Sequence, residues 1–264
     1  MKRRVIIGVI LILSCAPLFA VPLEFHGGGG PSVAMLGEIN AVIDRWNTLI
    51  SYLNTTFSIH PDVSGEVPEI PRIGGGIAIQ AGERYWLTDR LAVGGKIEYF
   101  RTSTSTAGSY LSSETSEIAV SFDCYAVSLL LGGRYTFLDA GIQLAADLNI
   151  GYAYSGFRRS VVFQIPPEHP YEISDLPPEG SGRYSDTGLG LETGLSLSVP
   201  ITDWLGIGTS VAYRSLALDA VKTSAGIGLD LDGDGINEQL GLNGITVQFS
   251  LFARIELFPT VKKE

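Results

Sequence analysis

Near the C-terminus, residues 245–257 alternate without a break. The odd positions are Ile245, Val247, Phe249, Leu251, Ala253, Ile255 and Leu257. The even positions are Thr246, Gln248, Ser250, Phe252, Arg254 and Glu256, polar except for Phe252. A β-strand sends successive side chains to opposite faces, so this segment has one apolar and one polar face. Six further stretches repeat the pattern, at 73–80, 91–100, 118–137, 141–155, 189–201 and 205–213. Their polar face carries mostly Gly, Ala and Ser, with isolated charges at Lys96, Glu98, Arg134, Asp147, Glu192, Arg214, Arg254 and Glu256. Their apolar face is continuous, and Trp86, Trp204, Tyr99, Tyr135, Tyr154 and Tyr213 stand near the segment ends.

The composition of the polar face decides which side is out. A soluble barrel keeps its apolar face inside and covers its exterior with many charged side chains. Small residues with a few opposite charges suit a narrow lumen, where scarce water forces charges to pair. Aromatic residues at strand ends suit the two interfaces of a bilayer. The expected fold is therefore all-β, a transmembrane antiparallel up-and-down β-barrel whose exterior meets lipid. No run of about 18 apolar residues occurs, which excludes a multi-helix membrane protein. A net charge of −10 argues against nucleic acid and against a polybasic grip on anionic lipid.

Residues 1–20 read as an export signal: Lys2, Arg3 and Arg4, then an apolar core from Val5 to Leu13, then a cleavage region from Ala16 to Ala20. Cleavage after Ala20 is the expectation. Ile12-Leu13-Ser14-Cys15 also resembles a lipobox, which leaves lipidation of Cys15 as the alternative. Residues 21–264 then form one domain containing a single cysteine, Cys124, and no disulfide framework.

Between residues 32 and 57 the period becomes helical, with Met35, Leu36, Ile39, Val42, Ile43, Trp46, Leu49, Ile50, Leu53 and Phe57 on one face and Ser32 as the expected N-cap. A Pro-rich connection follows from 60 to 71, and strands are expected over about 72–258. Short links at 82–90, 138–140 and 202–203 alternate with long polar links at 102–116, 165–183 and 223–243, an asymmetry typical of outer-membrane barrels. Residues 87–94 (LTDRLAVG) weakly repeat in 201–208 (ITDWLGIG), which suggests two equivalent turns. The alternation shifts phase near 124–126, from a bulge or from an extension beyond the membrane. Seven strands leave an odd count. Counting residues 21–30 as a first strand gives eight, with both termini at one end and the helix in the first long loop.

On this pattern, turn spacing and signal, the chain over about 72–258 resembles the superfamily of small, eight-stranded bacterial outer-membrane β-barrels. No residue-specific motif supports the resemblance. It implies the outer membrane of a diderm bacterium, with outer-membrane lipid and the barrel-assembly machinery as partners. Such barrels usually end on an aromatic residue, whereas this chain continues from Phe258 to Lys262, Lys263 and Glu264.

The sharpest local motif is Asp230-Leu231-Asp232-Gly233-Asp234-Gly235-Ile236-Asn237-Glu238. Carboxylates at alternate positions with a glycine at the sixth match the start of a calcium loop, yet position twelve is Gly241 instead of a bidentate Glu. Two readings stand: an acidic loop that binds nothing, or a weak Ca2+ site. In the second, Asp230, Asp232, Asp234, Glu238 and the Ile236 carbonyl are ligands, with dissociation constants of order 10⁻⁴–10⁻³ M. The lumenal charges read as a structural ion-pair network, or as the lining of a narrow pore. The helix reads as a cap on the barrel mouth, as a hatch for an apolar solute or as an interfacial helix. His26, His60 and His169 lie in irregular or Pro-rich surroundings, and no Ser–His–acid set stands out from chance. The expected role is structural or surface-interacting, without catalysis. The alternative is a porin-like pore or transporter for small or hydrophobic solutes, gated by the helix.

Overall fold

The computed structural model describes residues 22–165, 176–218, 221–233 and 235–256. Residues 1–21, with the expected export signal and Cys15, and His169, Asp234, Leu257 and Phe258 lie outside the described residues. The elements are β1 (Pro22–Met35), α1 (Gly37–Ser58), β2 (Ser64–Glu66), β3 (Gly75–Trp86), β4 (Leu91–Leu111), β5 (Thr115–Asp139), β6 (Gln143–Phe163), β7 (Gly180–Pro200), β8 (Leu205–Ala217) and β9 (Asn243–Glu256). Eight strands pair in the order β1, β3, β4, β5, β6, β7, β8, β9, all antiparallel, and β9 closes the ring on β1. The three-residue β2, unforeseen in the Pro-rich connection, only edges the far end of β4.

At one end, where Pro22 faces Glu256, the strands are joined by tight turns. Two of these are the sequence repeat. Thr88 Oγ1 accepts from the Arg90 and Leu91 amides, and Thr202 Oγ1 accepts from those of Trp204 and Leu205. Leu87 and Ile201 each donate to the leucine four residues on. A threonine at the second position of each turn thus satisfies two backbone donors at once.

Several expectations are corrected, and for the phase shift one of its two readings is excluded. The helix begins at Gly37, not at residue 32, because the ladders to β3 and β9 hold the chain extended through Val33 and Met35. Ser32 caps nothing; its hydroxyl bonds that of Thr246, its direct partner on the adjacent strand β9. The expected long loop at 102–116 is also strand, since β4 runs on to Leu111 and turns over only 112–114 into β5. The phase shift near Cys124 is no bulge: β5 and β6 stay in unbroken register from Ile118 to Thr136, and the irregularity lies between Thr136 and Leu138. Ile73 shares no face with Ile77 and Ile79; it precedes β3 and is fully buried.

What changes near Cys124 is the surroundings. From the tight-turn end up to Tyr99, Val127 and Tyr154, outward residues are apolar and exposed, among them Ile97, Leu131, Ile150, Leu191, Val211 and Phe249. The nine residues of β4 from Leu91 to Tyr99 match the roughly 9–11 residues with which a tilted strand crosses a bilayer. Above it, β4 to β7 continue as a wall of opposite character. Ser103, Ser105, Ser121 and Arg158 face out, and Phe100, Tyr110, Ile118, Val120, Phe122, Phe157 and Val161 are buried inside. This upper core is completed by Ile39, Ile43, Trp46, Ile50, Leu53 and Phe57 of α1 and by Val221, Leu229, Leu231, Leu240 and Leu242 of the irregular segment before β9. Trp46 lies 5.6 Å from the Phe122 ring and Phe57 4.7 Å from Tyr110, spacings that favour aromatic pairs. One continuous sheet therefore carries two cores, a polar one inside the barrel and an apolar one inside a dome above it.

Candidate functional site

The lumen holds two clusters of charge. In the first, Lys96 Nζ lies 2.6 and 2.8 Å from the Glu192 carboxylate, 2.8 Å from Gln80 Oε1 and 3.6 Å from Glu98. Glu98 pairs in turn with Arg214 and accepts from Gln248 at 3.3 Å, while Asn149 donates to Glu192 at 3.1 Å. In the second, Arg134 binds Asp147 through two nitrogens at 2.8 and 3.1 Å. Arg84 bridges Asp147 to Glu24, at 3.7 and 3.1 Å. Glu24 also accepts from Trp86 Nε1 at 3.1 Å and Arg254 at 3.3 Å.

Seven of the eight charges picked out by alternation thus meet in the barrel interior. Glu256 ends β9 opposite Pro22, its side chain outside the described residues. Glu24, Arg84, Gln80 and His26 complete the lumen lining but were not marked as site residues. Even positions of β1 and β3 face inward, so phase with Gly28, Gly30 and Gly82 would have revealed them. His26 accordingly lies on a strand rather than in irregular chain. Trp86 is likewise no lipid-facing girdle residue. It is buried, and the Arg254 guanidinium stacks 4.5 Å from its ring centre. Phe252, the one apolar even residue of β9, fills the lumen against Gly206, where a Cβ would come within 2.2 Å of its ring.

Little free space remains between these side chains. The cavity bounded by Lys96, Arg134, Asp147, Glu192 and Gln248 holds about 30 Å³, room for a water or two. At the top of the lattice, Arg214 lies 4.5 Å from the centre of the Phe100 ring, and beyond Phe100 the apolar core begins.

A second construction holds α1 over the mouth. Asn40, Asn47 and Asn54 lie one heptad apart on the helix. Each side chain donates to the carbonyl and accepts from the amide of one residue in the extended segment alongside: Ile73, Ile70 and Val67 respectively, at 2.7–3.1 Å. The spacing matches, since seven helical residues rise about 10.5 Å and three residues of a proline-rich extended chain about 9.3 Å. Pro68 and Pro71 leave their carbonyls free for Thr106 and Thr104 of β4, at 3.0 and 2.7 Å. Segment 67–73 is thus stapled to the helix on one side and to the sheet on the other, and Val67, Ile70 and Ile73 are buried between them. Outside, Arg72 clasps Asp44 through two nitrogens, an exposed pair that holds the Asp44 carboxyl below its ordinary value.

In the acidic segment, oxygens of Asp230, Asp232 and Glu238 lie within 4.8 Å of one another. Each already has a partner. Asp230 accepts from the Gly233 and Gly235 amides, whose φ values of 78° and 82° require glycine. Glu238 accepts from the Leu231 amide at 2.9 and 3.1 Å, and its burial raises its carboxyl above the ordinary value. Asp232 pairs with Arg45 of α1. The Ile236 side chain is exposed, and Asp234 lies outside the described residues. Glu38 at the helix start accepts from the Gln239 amide at 2.6 Å, fastening the same segment to α1 a second time.

No protein-family description and no curated protein matches the sequence. Among solved structures, similarity extends to the outer membrane protein OprG from Pseudomonas aeruginosa (TM-score 0.38, 10% identity, 89% of this chain and 96% of that one). It extends also to Neisserial surface protein A (0.35, 11%, 90% and 98%) and to the outer membrane protease OmpT from Escherichia coli (0.36, 8%, 89% and 94%).

Proposed function

We propose that this chain is a closed outer-membrane anchor that displays its dome at the surface of a diderm bacterium, in a structural or surface-interaction role without catalysis. The observation that carries the reading is double closure. The largest gap within the paired charge lattice described above holds only about 30 Å³, and a stapled apolar core sits above it. A narrow pore gated by the helix would need the three asparagine staples and the Trp46 and Phe57 contacts to break at each opening. A gate is usually drawn from the least stable parts of a fold. The lumenal carboxylates Glu24, Glu98, Asp147 and Glu192 each engage a cation, and we assign them no catalytic role. The export signal and the apolar belt support outer-membrane insertion from the periplasm, with lipid around the belt and the barrel-assembly machinery as the folding partner.

The test is conductance of the purified full-length protein in planar bilayers. The proposal expects no steady channel. Reproducible single-channel steps abolished by Glu192→Lys would overturn it in favour of transport.

For the acidic segment we propose calcium as a secondary occupant that competes with Arg45 for Asp232. Millimolar calcium should then slow proteolysis between 221 and 242, and Asp232→Ala should remove the effect. Equal cleavage with and without calcium would discard the site.

A further inference from the structure

The outer wall of the dome carries a basic patch that the lumen and helix leave unexplained. Successive register rows across β4, β5, β6 and β7 fix its place. The row Tyr99, Val127, Tyr154, Thr187 is the last of the apolar belt. The next is Arg101, Tyr125, Gly156, Ser185, and the one above it is Ser103, Asp123, Arg158, Arg183. Ser105, Ser121, Ser160 and Ser181 form the row beyond. All these positions face outward, and those of the two upper rows, together with Arg101, line an open concavity of about 540 Å³.

The guanidiniums of Arg101, Arg158 and Arg183 and one carboxylate thus crowd a small area of a chain whose net charge is −10, while Arg159, which also lines the concavity, donates to the Asp230 and Pro178 carbonyls. The carboxylate is already committed: Asp123 binds Arg101 through both oxygens, at 2.8 and 3.3 Å. Arg158 and Arg183 are direct cross-strand partners, an arrangement that repels when nothing lies between the two charges. Among the described residues no carboxylate comes within ion-pair distance of either. Arg158 leans over the Tyr125 ring at 5.7 Å, and Tyr125 in turn lies 6.3 Å from Tyr154 at the edge of the belt. The two arginines therefore stand just above the aromatic level, where the headgroups of a surrounding leaflet lie. Serine hydroxyls above them add donors suited to phosphate oxygens.

We infer that this concavity holds the phosphate of a lipid headgroup, with Arg158 and Arg183 sharing its oxygens, Arg101 flanking it and the acyl chains running down the belt below. The anion relieves the repulsion between the two arginines and fixes one lipid against the dome. The inference rests on the membrane-barrel reading above.

The test uses full-length protein in dodecylmaltoside micelles supplemented with phosphatidic acid or phosphatidylcholine. Lipid retention is counted by native mass spectrometry, and thermal unfolding is followed in the same samples. The wild type should retain phosphatidic acid in preference and unfold at a higher temperature with it. Arg158→Gln/Arg183→Gln should lower that retention by about thirtyfold, the usual attraction of two basic residues to anionic lipid. In micelles without phosphatidic acid the same variant should be at least as stable as the wild type, because it has lost only a like-charge pair. Asp123→Asn, which frees Arg101, should raise retention. Equal retention of the two lipids by the wild type would overturn the inference, as would unchanged retention by the double variant. Stabilisation by inorganic phosphate alone, with none added by lipid, would replace the lipid with a free anion. A chain that stays monodisperse and folded without detergent would instead overturn the membrane reading on which the inference stands.

Discussion

β4 to β7 pass through two regions, and the same strands obey opposite rules in each. In the barrel their outward residues are Ile97, Leu131, Ile150 and Leu191, and their inward ones Lys96, Glu98, Asp147 and Glu192. In the dome the outward residues are Ser105, Ser121, Arg158 and Arg183, and the inward ones Phe100, Phe122, Phe157 and Tyr184. The period never changes; the medium does. Lipid outside makes a polar interior tolerable because the described lumenal charges are paired, whereas water outside makes an apolar interior the favourable choice. Strand geometry and side-chain polarity are thus separable, and polarity reports which solvent lies beyond the wall.

The comparison predicts that damage stays in its own region. Removing a partner from the lumenal lattice or a ring from the dome should cost about 3–5 kcal/mol in either case, with different consequences. Glu98→Ala strands Arg214 and should lower the urea midpoint of the whole barrel. Phe122→Ala should expose α1 and segment 221–242 to protease while the barrel keeps its heat-modifiable migration on gels. A barrel that melts with Phe122→Ala would show that the two cores are one unit.

Along the outward face of β6 the same substitution should change its cost within ten residues. Ile150→Arg places a charge in the apolar belt and should destabilise the barrel by about 2–4 kcal/mol, whereas Ser160→Arg on the dome should stay within about 0.5 kcal/mol. Equal costs at the two positions, read by reversible unfolding in liposomes, would erase the boundary. The staples come next in size. Asn47→Ala removes two hydrogen bonds and leaves the Ile70 amide buried without a partner, about 1–3 kcal/mol, visible as faster hydrogen exchange across 67–73 with the barrel amides unaffected.

The smallest expected effect is one of pH. Burial raises the Glu238 carboxyl above its ordinary 4.5 in the folded dome, so the folded state binds that proton more tightly than the unfolded chain. Its contribution is present below 4.5 and is lost as pH rises through the raised folded value. Mild acidification in calcium-free buffer should therefore raise protection in segment 221–242, measured against the exchange of the unfolded chain at the same pH. Lower protection on acidification would mean that Glu238 is held as a carboxylate, as a metal ligand is.

Where lipid lies outside, the sequence was legible. Alternation in 245–257 located β9, and the TD turns of residues 87–90 and 201–204 located two hairpins. The upper half was harder for a physical reason. Residues 102–110 of β4 are small or hydroxyl-bearing on both faces, because Thr104 and Thr106 point inward to meet proline carbonyls while Ser103 and Ser105 point out to solvent. Such a stretch has no polarity contrast and reads as loop. The heptad of Asn40, Asn47 and Asn54 is visible in the sequence, but its partners at every third residue of 67–73 become meaningful only once the two segments lie side by side. In the lumen, Lys96 and Glu192 could be marked from their strands, yet their pairing across 96 residues depends on ring closure.

The inversion itself can be measured by scanning spin labels along β6 in liposomes and comparing collision rates with oxygen, which concentrates in lipid, and with a water-soluble nickel chelate. The outward positions 148, 150 and 152 should favour oxygen, 158 and 160 should favour nickel, and the crossover should fall between 154 and 158. The inward positions 157 and 161 should be shielded from both. Oxygen preference persisting through 160, or nickel preference beginning below 152, would contradict a strand that leaves the lipid at Tyr154 and enters a water-exposed dome.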